Sequence, residues 1–315
     1  MLEFTMSLIG ILKKLALRFP AQIRTINRVR NMIASIGCAI GIQGLDIIRV
    51  NSNGNTILRF NRSYPLGNRG SNLQIPRDSK IFEHVRRYGS WELRTSKFIA
   101  KGIENQSLLN KKIAVIDIGA HTGLITLQIF RITNVDFTAF LFEPLPKNAD
   151  AIRYNLDGKN VKIFEVLLDK ENGAKKIFTQ KSNIGNSSIF KQLIPEHELI
   201  ENVCTTVDVR ELFNSSVNMY ECYMIKCDIQ GMDSMVLSRI PNDIWQKTDR
   251  AVIEVWATET VENRDVESLV AKLSNFKYLS WQQNLRELVS ISDVSNFWLS
   301  KSGEQKNLFM SKNVI

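Results

Sequence analysis

Val115-Ile116-Asp117-Ile118-Gly119-Ala120-His121-Thr122-Gly123 reads as a buried strand closing in a turn flanked by glycines, and Leu124, Leu127 and Phe130 follow at once at helical spacing. A strand, turn and helix in this order make a ligand cradle. The glycines let backbone approach a bound molecule, and the helix start offers unpaired N–H groups. A second apolar run, Phe137 to Phe142, ends in Glu143, 20 residues after Gly123. That is where an acidic side chain accepts hydrogen bonds from both hydroxyls of a ribose. A dinucleotide fingerprint, G-x-G-x-x-G, is argued against by His121, which stands where its second glycine would let backbone approach a pyrophosphate.

Outward from this stretch, apolar runs alternate with amphipathic helical ones, the mark of a parallel sheet covered on both faces. The spacing predicts parallel strands over Ile113–Ile118, Phe137–Phe142, Val161–Leu168, Tyr223–Asp228 and Ala251–Val255, with further strands near Tyr278–Gln282 and Phe297–Ser300. Upstream, Asn51-Ser52-Asn53-Gly54 reads as a hairpin tip between Ile47–Val50 and Thr56–Phe60, and residues 78–106 read as helical. The expected fold is α/β, a Rossmann-like doubly wound and mostly parallel sheet over residues 107–315. A basic α+β accessory region precedes it: a helical arm over 1–45, then strands and helices over 46–106.

The net charge of +9 is unevenly placed, with 17 Lys/Arg against 6 Asp/Glu in residues 1–110 and 24 against 26 in the rest. Lys13, Lys14, Arg18, Arg24 and Arg28 accompany an apolar stripe of Leu8, Ile11, Leu15, Ile23 and Ile26, so residues 1–36 are expected to touch an anionic membrane surface peripherally. Lys13 and Lys14 interrupt the first apolar run too early for a secretory signal, and neither stretch is a bilayer span. Cys38, Cys204, Cys222 and Cys227 form no CxxC pair, and three histidines without ligand spacing point to no metal site. Cys222 and Cys227 fall in an apolar run and read as buried thiols of a cytoplasmic protein.

Several motifs together resemble the FkbM family of S-adenosylmethionine-dependent methyltransferases. They are Val115 to Gly123, Phe142-Glu143-Pro144-Leu145-Pro146, Asn155, Asp169 with Gly173, Thr205-Thr206-Val207-Asp208 and Ile225-Lys226-Cys227-Asp228-Ile229-Gln230-Gly231. Ile75-Pro76-Arg77-Asp78 and Tyr88-Gly89-Ser90-Trp91 are similar to segments that precede this domain in relatives, and the first 45 residues carry no resemblance. The resemblance implies a class I methyltransferase fold, S-adenosylmethionine as cofactor, and O-methylation of a sugar, glycan, glycolipid or related metabolite. It implies that Asp117, Gly119, Ala120, His121 and Gly123 line the methionine and ribose end of the cofactor and that Glu143 grips the ribose. Such a cofactor has no pyrophosphate, so His121 is tolerable in the loop. Asp117 suits the cofactor's ammonium, and equally suits fixing its own loop.

Lys226 and Asp228, two apart in a strand, fall on one side of the sheet near the edge where ligands bind, and are expected to form an ion pair that is either catalytic or structural. Where the family shows Lys-x-Asp-x-Glu-Gly, this chain has Gln230. That departure motivates an alternative, a cofactor-binding protein with impaired transfer. The basic first third motivates another, a nucleic-acid methyltransferase; without a base-flipping motif or an RNP-like aromatic strand, nucleic acid is not an expected partner. Asp208, Ser187, Ser188 and Glu254 match family-like positions and equally suit capping.

Overall fold

The computed structural model describes residues 45–50, 55–61, 63–77, 80–181, 183–257, 265–300 and 302–313. The basic arm and the hairpin tip at 51–54 therefore lie outside the described residues.

The chain enters through β1 (Leu45–Val50), β2 (Asn55–Phe60) and β3 (Asn72–Pro76), a small antiparallel sheet, and then α1 (Lys80–Tyr88) and α2 (Leu93–Ser107). The alternating unit follows: β4 (Ile113–Ile118), α3 (Leu124–Ile132), β5 (Thr138–Phe142), α4 (Pro146–Asn155) and β6 (Val161–Phe164). Every residue of β4 and β5 is buried, as expected of strands covered on both faces. An antiparallel excursion comprises β7 (Leu167–Asp169), β8 (Gly173–Gln180), β9 (Asn183–Ser188) and β10 (Leu199–Asp208), and α5 (Val209–Leu212) leads out of it. The chain then returns as β11 (Cys222–Cys227), α6 (Asp233–Arg239), α7 (Asn242–Lys247) and β12 (Thr248–Trp256), and ends in α8 (Val266–Leu273), β13 (Tyr278–Ser280), α9 (Ile291–Leu299) and β14 (Gln305–Ser311).

The main sheet has seven strands in the order β13-β14-β12-β11-β4-β5-β6. β11 pairs parallel with both β4 and β12, while β14 is antiparallel to β12 and β13. The chain walks outward from β4 to β6 and then returns to lay β11 on the other side of β4. The crevice above β4 and β11 is thus a topological switch point, where open α/β sheets bind ligands.

Two expected strands are corrected. Val161–Leu168 is not one strand: it leaves the main sheet after Phe164, and Leu167 to Asp169 pair with β10 in a four-stranded second sheet. The sequence pattern does not reveal such a transfer, because apolar residues recur across the whole of 161–168, although Val161–Phe164 is only partly buried and Leu167–Asp169 fully. Phe297–Ser300 is the end of a helix, started by a capping box between Ser290 and Asp293, with Val294 and Trp298 burying one face. Four residues were too short a window to tell the periods apart, and the strand that completes the sheet is β14.

The accessory elements share a core with the sheet: Leu58, Phe60, Ile75 and Ile99 cluster with Val115, Leu141 and Met224. Polar staples add to this. The Asn155 amide accepts from the Gln74 N–H at 2.7 Å and donates to the carbonyls of Gln74 and Thr122, so β3, α4 and the turn after β4 are tied at one side chain. Gln128 on α3 accepts from the Trp91 N–H at 3.0 Å and donates to Ser96 at 2.8 Å. α2 approaches the sheet closely at Gly102, where a Cβ would stand 2.7 Å from Arg250 Cδ and 2.9 Å from Met224 Sδ. Arg250 itself is fully buried, donating to the Phe98 carbonyl with its guanidinium over the Phe98 ring. Gly102→Val should overpack this contact and lower stability by about 1–3 kcal/mol in denaturant unfolding. Unchanged stability would show that the helix moves away freely.

Candidate functional site

The switch-point crevice opens into a cavity of about 270 Å³, near the lower end of small-molecule sites. Gly119, Ala120, His121 and Glu143 line it from β4, β5 and their turns, and Lys226, Asp228, Gln230 and Glu254 from β11, β12 and the loop between. Ser187 and Ser188 reach it from β9. Distant segments of sequence are thereby gathered at one edge of the sheet.

The turn after β4 winds through three left-handed residues, Gly119 (φ 75°), His121 (φ 51°) and Gly123 (φ 73°). At Gly119 a Cβ would meet the Asp228 carbonyl oxygen at 2.0 Å, so only glycine lets the β4 and β11 loops close on each other. His121 is uncommon but acceptable in that conformation. Its backbone N–H donates to Glu143 Oε2 at 2.9 Å, and its Nδ1 lies 3.2 Å from the Thr122 hydroxyl. Burial, aided by the Lys226 charge, brings the imidazole down to about 4, so His121 is neutral near pH 7. Its Nε2 is buried beside the cavity without a partner among the described residues, a polar atom that a bound molecule would satisfy.

Glu143 is held as a docking carboxylate. Besides the bond from His121, its Oε1 accepts from the Leu145 N–H and the Asn148 amide, both at 3.1 Å. Burial nevertheless outweighs these donors and pushes the carboxyl up to about 7.

Lys226 and Asp117 depart from expectation. The ion pair joins Lys226 to Asp117, at 3.3 Å, and not to Asp228. The register explains it, since Lys226 faces Asp117 across the parallel ladder. Lys226 also donates to the Gly119 carbonyl at 2.8 Å. Burial alone would lower its pKa, but the carboxylates of Asp117, Asp228 and Glu92 prevail and hold it above the ordinary lysine value. Asp117, 1% exposed, does not line the cavity; it accepts from the Thr126 hydroxyl at 2.8 Å and braces the turn from behind. Gly123 lies outside the lining as well, packed near Leu156.

Asp208 is a helix cap, accepting from the N–H groups of Arg210 and Glu211, and does not line the cavity. Glu254 does, accepting from the Gln230 amide at 3.1 Å and the Trp256 indole at 2.5 Å. Several lining residues were not reached from the sequence, Lys80, Asn148 and Met232 among them, and Glu92 is another. Glu92, left-handed at φ 39° before α2, places its carboxyl in the lining, where burial and then the Asp228 charge raise it. The only available signal was its place directly after Tyr88-Gly89-Ser90-Trp91.

No family model matches the chain, and no curated protein matches it. Among solved structures, it is similar to an O-methyltransferase family protein from Burkholderia thailandensis, at 13% identity over 69% of this chain and 56% of that one, TM-score 0.31. The chain therefore spans little more than half the length of that protein. It is also similar to a TehB-like SAM-dependent methyltransferase from Corynebacterium glutamicum, at 10% identity over 74% of this chain and 95% of that one, TM-score 0.37. A SAM-dependent O-methyltransferase from Thermotoga maritima matches at 15% identity over 82% and 77%, TM-score 0.36. Likenesses at this level carry no argument about chemistry, which rests on the site itself.

Lys226→Met should strand the buried Asp117 carboxylate and cost about 3–5 kcal/mol of stability. Adding Asp117→Asn should recover much of that loss in thermal unfolding. A single variant of unchanged stability would show that the pair does not hold the turn.

Proposed function

We propose that the protein is an S-adenosylmethionine-dependent methyltransferase resembling the FkbM family, acting on a hydroxyl of a sugar, glycan, glycolipid or related metabolite. One observation carries the reading: a glycine-flanked turn and a trapped carboxylate, Glu143, meet at the switch point of the sheet and face carboxylates on the opposite wall of the same cavity. The residues fit the cofactor. Glu143 would accept from its ribose hydroxyls and Leu145 would lie against its base. Glu92, in place of Asp117, would complement its ammonium.

When bound, the cofactor supplies a methyl group on a positively charged sulfur. Transfer would join the acceptor oxygen to that methyl carbon as the carbon–sulfur bond broke, with its electron pair left on sulfur. The hydroxyl proton must leave, and Asp228 is the proposed group to receive it. Lys226 keeps its proton and serves as a brace. The cavity walls orient the two reactants and exclude water.

Glu143→Ala should weaken S-adenosylmethionine binding by about 2–4 kcal/mol in calorimetry, through loss of charged hydrogen bonds. Unchanged affinity would place the ribose elsewhere. The wild-type affinity should also depend on pH. Glu143 binds its proton more tightly in the folded protein than at its ordinary 4.5, so its contribution to ligand-free stability is full below 4.5 and is lost as pH rises through about 7. Ribose binding uses the ionised form, so affinity should rise through the same interval in wild type and be flat in Glu143→Gln.

No helix among the described residues is long and apolar enough to cross a membrane. For the basic residues 1–36 we propose contact with an anionic lipid surface from the cytoplasmic side. Vesicles containing anionic lipid should float the full chain at low salt, and not the chain lacking residues 1–36. Failure of the full chain to float would end this proposal.

A further inference from the structure

Gln230 is a strained residue held from two sides. It is not glycine, yet its φ is 54°, a left-handed conformation that persists where the surroundings over-determine it. From the second sheet, the Ser188 hydroxyl donates to the Gln230 carbonyl at 2.9 Å. From α6, Asp233 accepts from the N–H groups of the flanking Ile229 and Gly231, both at 3.2 Å. This backbone aims the Gln230 amide between two carboxyls, Asp228 just beyond β11 and Glu254 within β12. Its Nε2 donates to Asp228 Oδ1 at 2.9 Å and to Glu254 Oε2 at 3.1 Å. The opposite amide orientation would set an oxygen against two carboxyls, so the NH₂ end is fixed by chemistry. The Trp256 indole donates to the same Glu254 oxygen, so one Gln230 nitrogen bridges the two carboxyls and Trp256 fixes the second of them.

We propose that Asp228 and Glu254 form one acid–base unit sharing a single proton, and that Gln230 is the positioning residue that holds the two carboxyls together. Two adjacent carboxylates in a half-buried site repel, and retaining one proton between them removes most of that cost. Burial and the neighbouring Asp228 and Asp233 raise Glu254, in keeping with this geometry. The other titratable groups lining this cavity are Lys80, Glu92, Glu143, Lys226 and the neutral His121, and Lys226 forms its ion pair with Asp117.

The consequence for catalysis rests on the methyltransferase reading above. A singly protonated pair carries one negative charge, which matches the single positive charge on the cofactor sulfur. On transfer, the acceptor proton enters the pair, and pair and sulfur become neutral together. A glutamate at 230, the residue of the family that the sequence resembles, would add a second negative charge and remove the donor between the two carboxyls. In this proposal Gln230 is accordingly the donor that completes the unit.

The test uses infrared difference spectra of the ligand-free full chain at neutral pH, where a protonated carboxyl has its own absorption band. Glu254→Gln and Asp228→Asn should each remove the same single carboxylic-acid band, because a shared proton is lost with either partner. Persistence of the Glu254 band in Asp228→Asn would mean that burial alone protonates Glu254, and no band lost in Glu254→Gln would mean that the proton is absent; either overturns the proposal. Should those variants fail to fold, Gln230→Glu provides a second measurement. Its melting temperature should fall more steeply than that of wild type as pH rises above neutrality, since a further carboxyl must give up its proton. Parallel curves would remove Gln230 from the unit. S-adenosylmethionine calorimetry on the same proteins tests the cofactor reading separately, so the two failures are distinguishable.

Discussion

One buried ammonium governs the carboxyl edge of the sheet. Lys226 is 5% exposed, and an unpaired charge there would cost several kcal/mol. It is paired with Asp117 one strand away and hydrogen-bonded to the Gly119 carbonyl, so the pair joins β4 to β11 just where their loops must close. The Thr126 hydroxyl extends the same brace into α3. With the turn fixed, the His121 N–H is presented to Glu143 and the cavity takes its shape.

A buried pair of this kind specifies geometry more than it adds stability. An apolar pair of equal volume could stabilise the fold as well, but it would leave the Gly119 carbonyl without its donor and the turn free to relax. The same reasoning applies on the opposite wall. There the carboxyls of Asp228 and Glu254 are held by neutral donors, Gln230 and Trp256, and among the described residues no lysine is within ion-pair distance of either. Charges committed to structure and charges left open to a ligand are thus kept on separate partners.

The accessory segments belong to this arrangement too. Asn155 fastens β3 to the turn after β4, Gln128 fastens the approach to α2, and Glu92 enters the cavity from that approach. The second sheet contributes Ser188, whose hydroxyl holds the Gln230 backbone. Removing either segment would expose apolar core and loosen a wall of the cavity at the same time.

The sequence by itself determined the alternating sheet and most of its strands, the glycine-flanked turn, and Glu143 at the end of β5, because these are local: a period, a left-handed turn, a fixed spacing. It also reached Lys226 and Asp228, but not their partners. Which carboxylate Lys226 meets depends on ladder register, and residues 226 and 117 are far apart in the chain. The transfer of Leu167–Asp169 to a second sheet is hidden for a similar reason, since apolar residues suit a strand in either sheet and the pairing partner β10 is remote in sequence, and Phe297–Ser300 is too short to display a period. Glu92, Gln230 and Glu254 come together only through tertiary structure. Strands that adjoin at a switch point are remote in sequence, and the left-handed backbone that aims Gln230 between two carboxyls is imposed by contacts from Ser188 and Asp233, which no local pattern records.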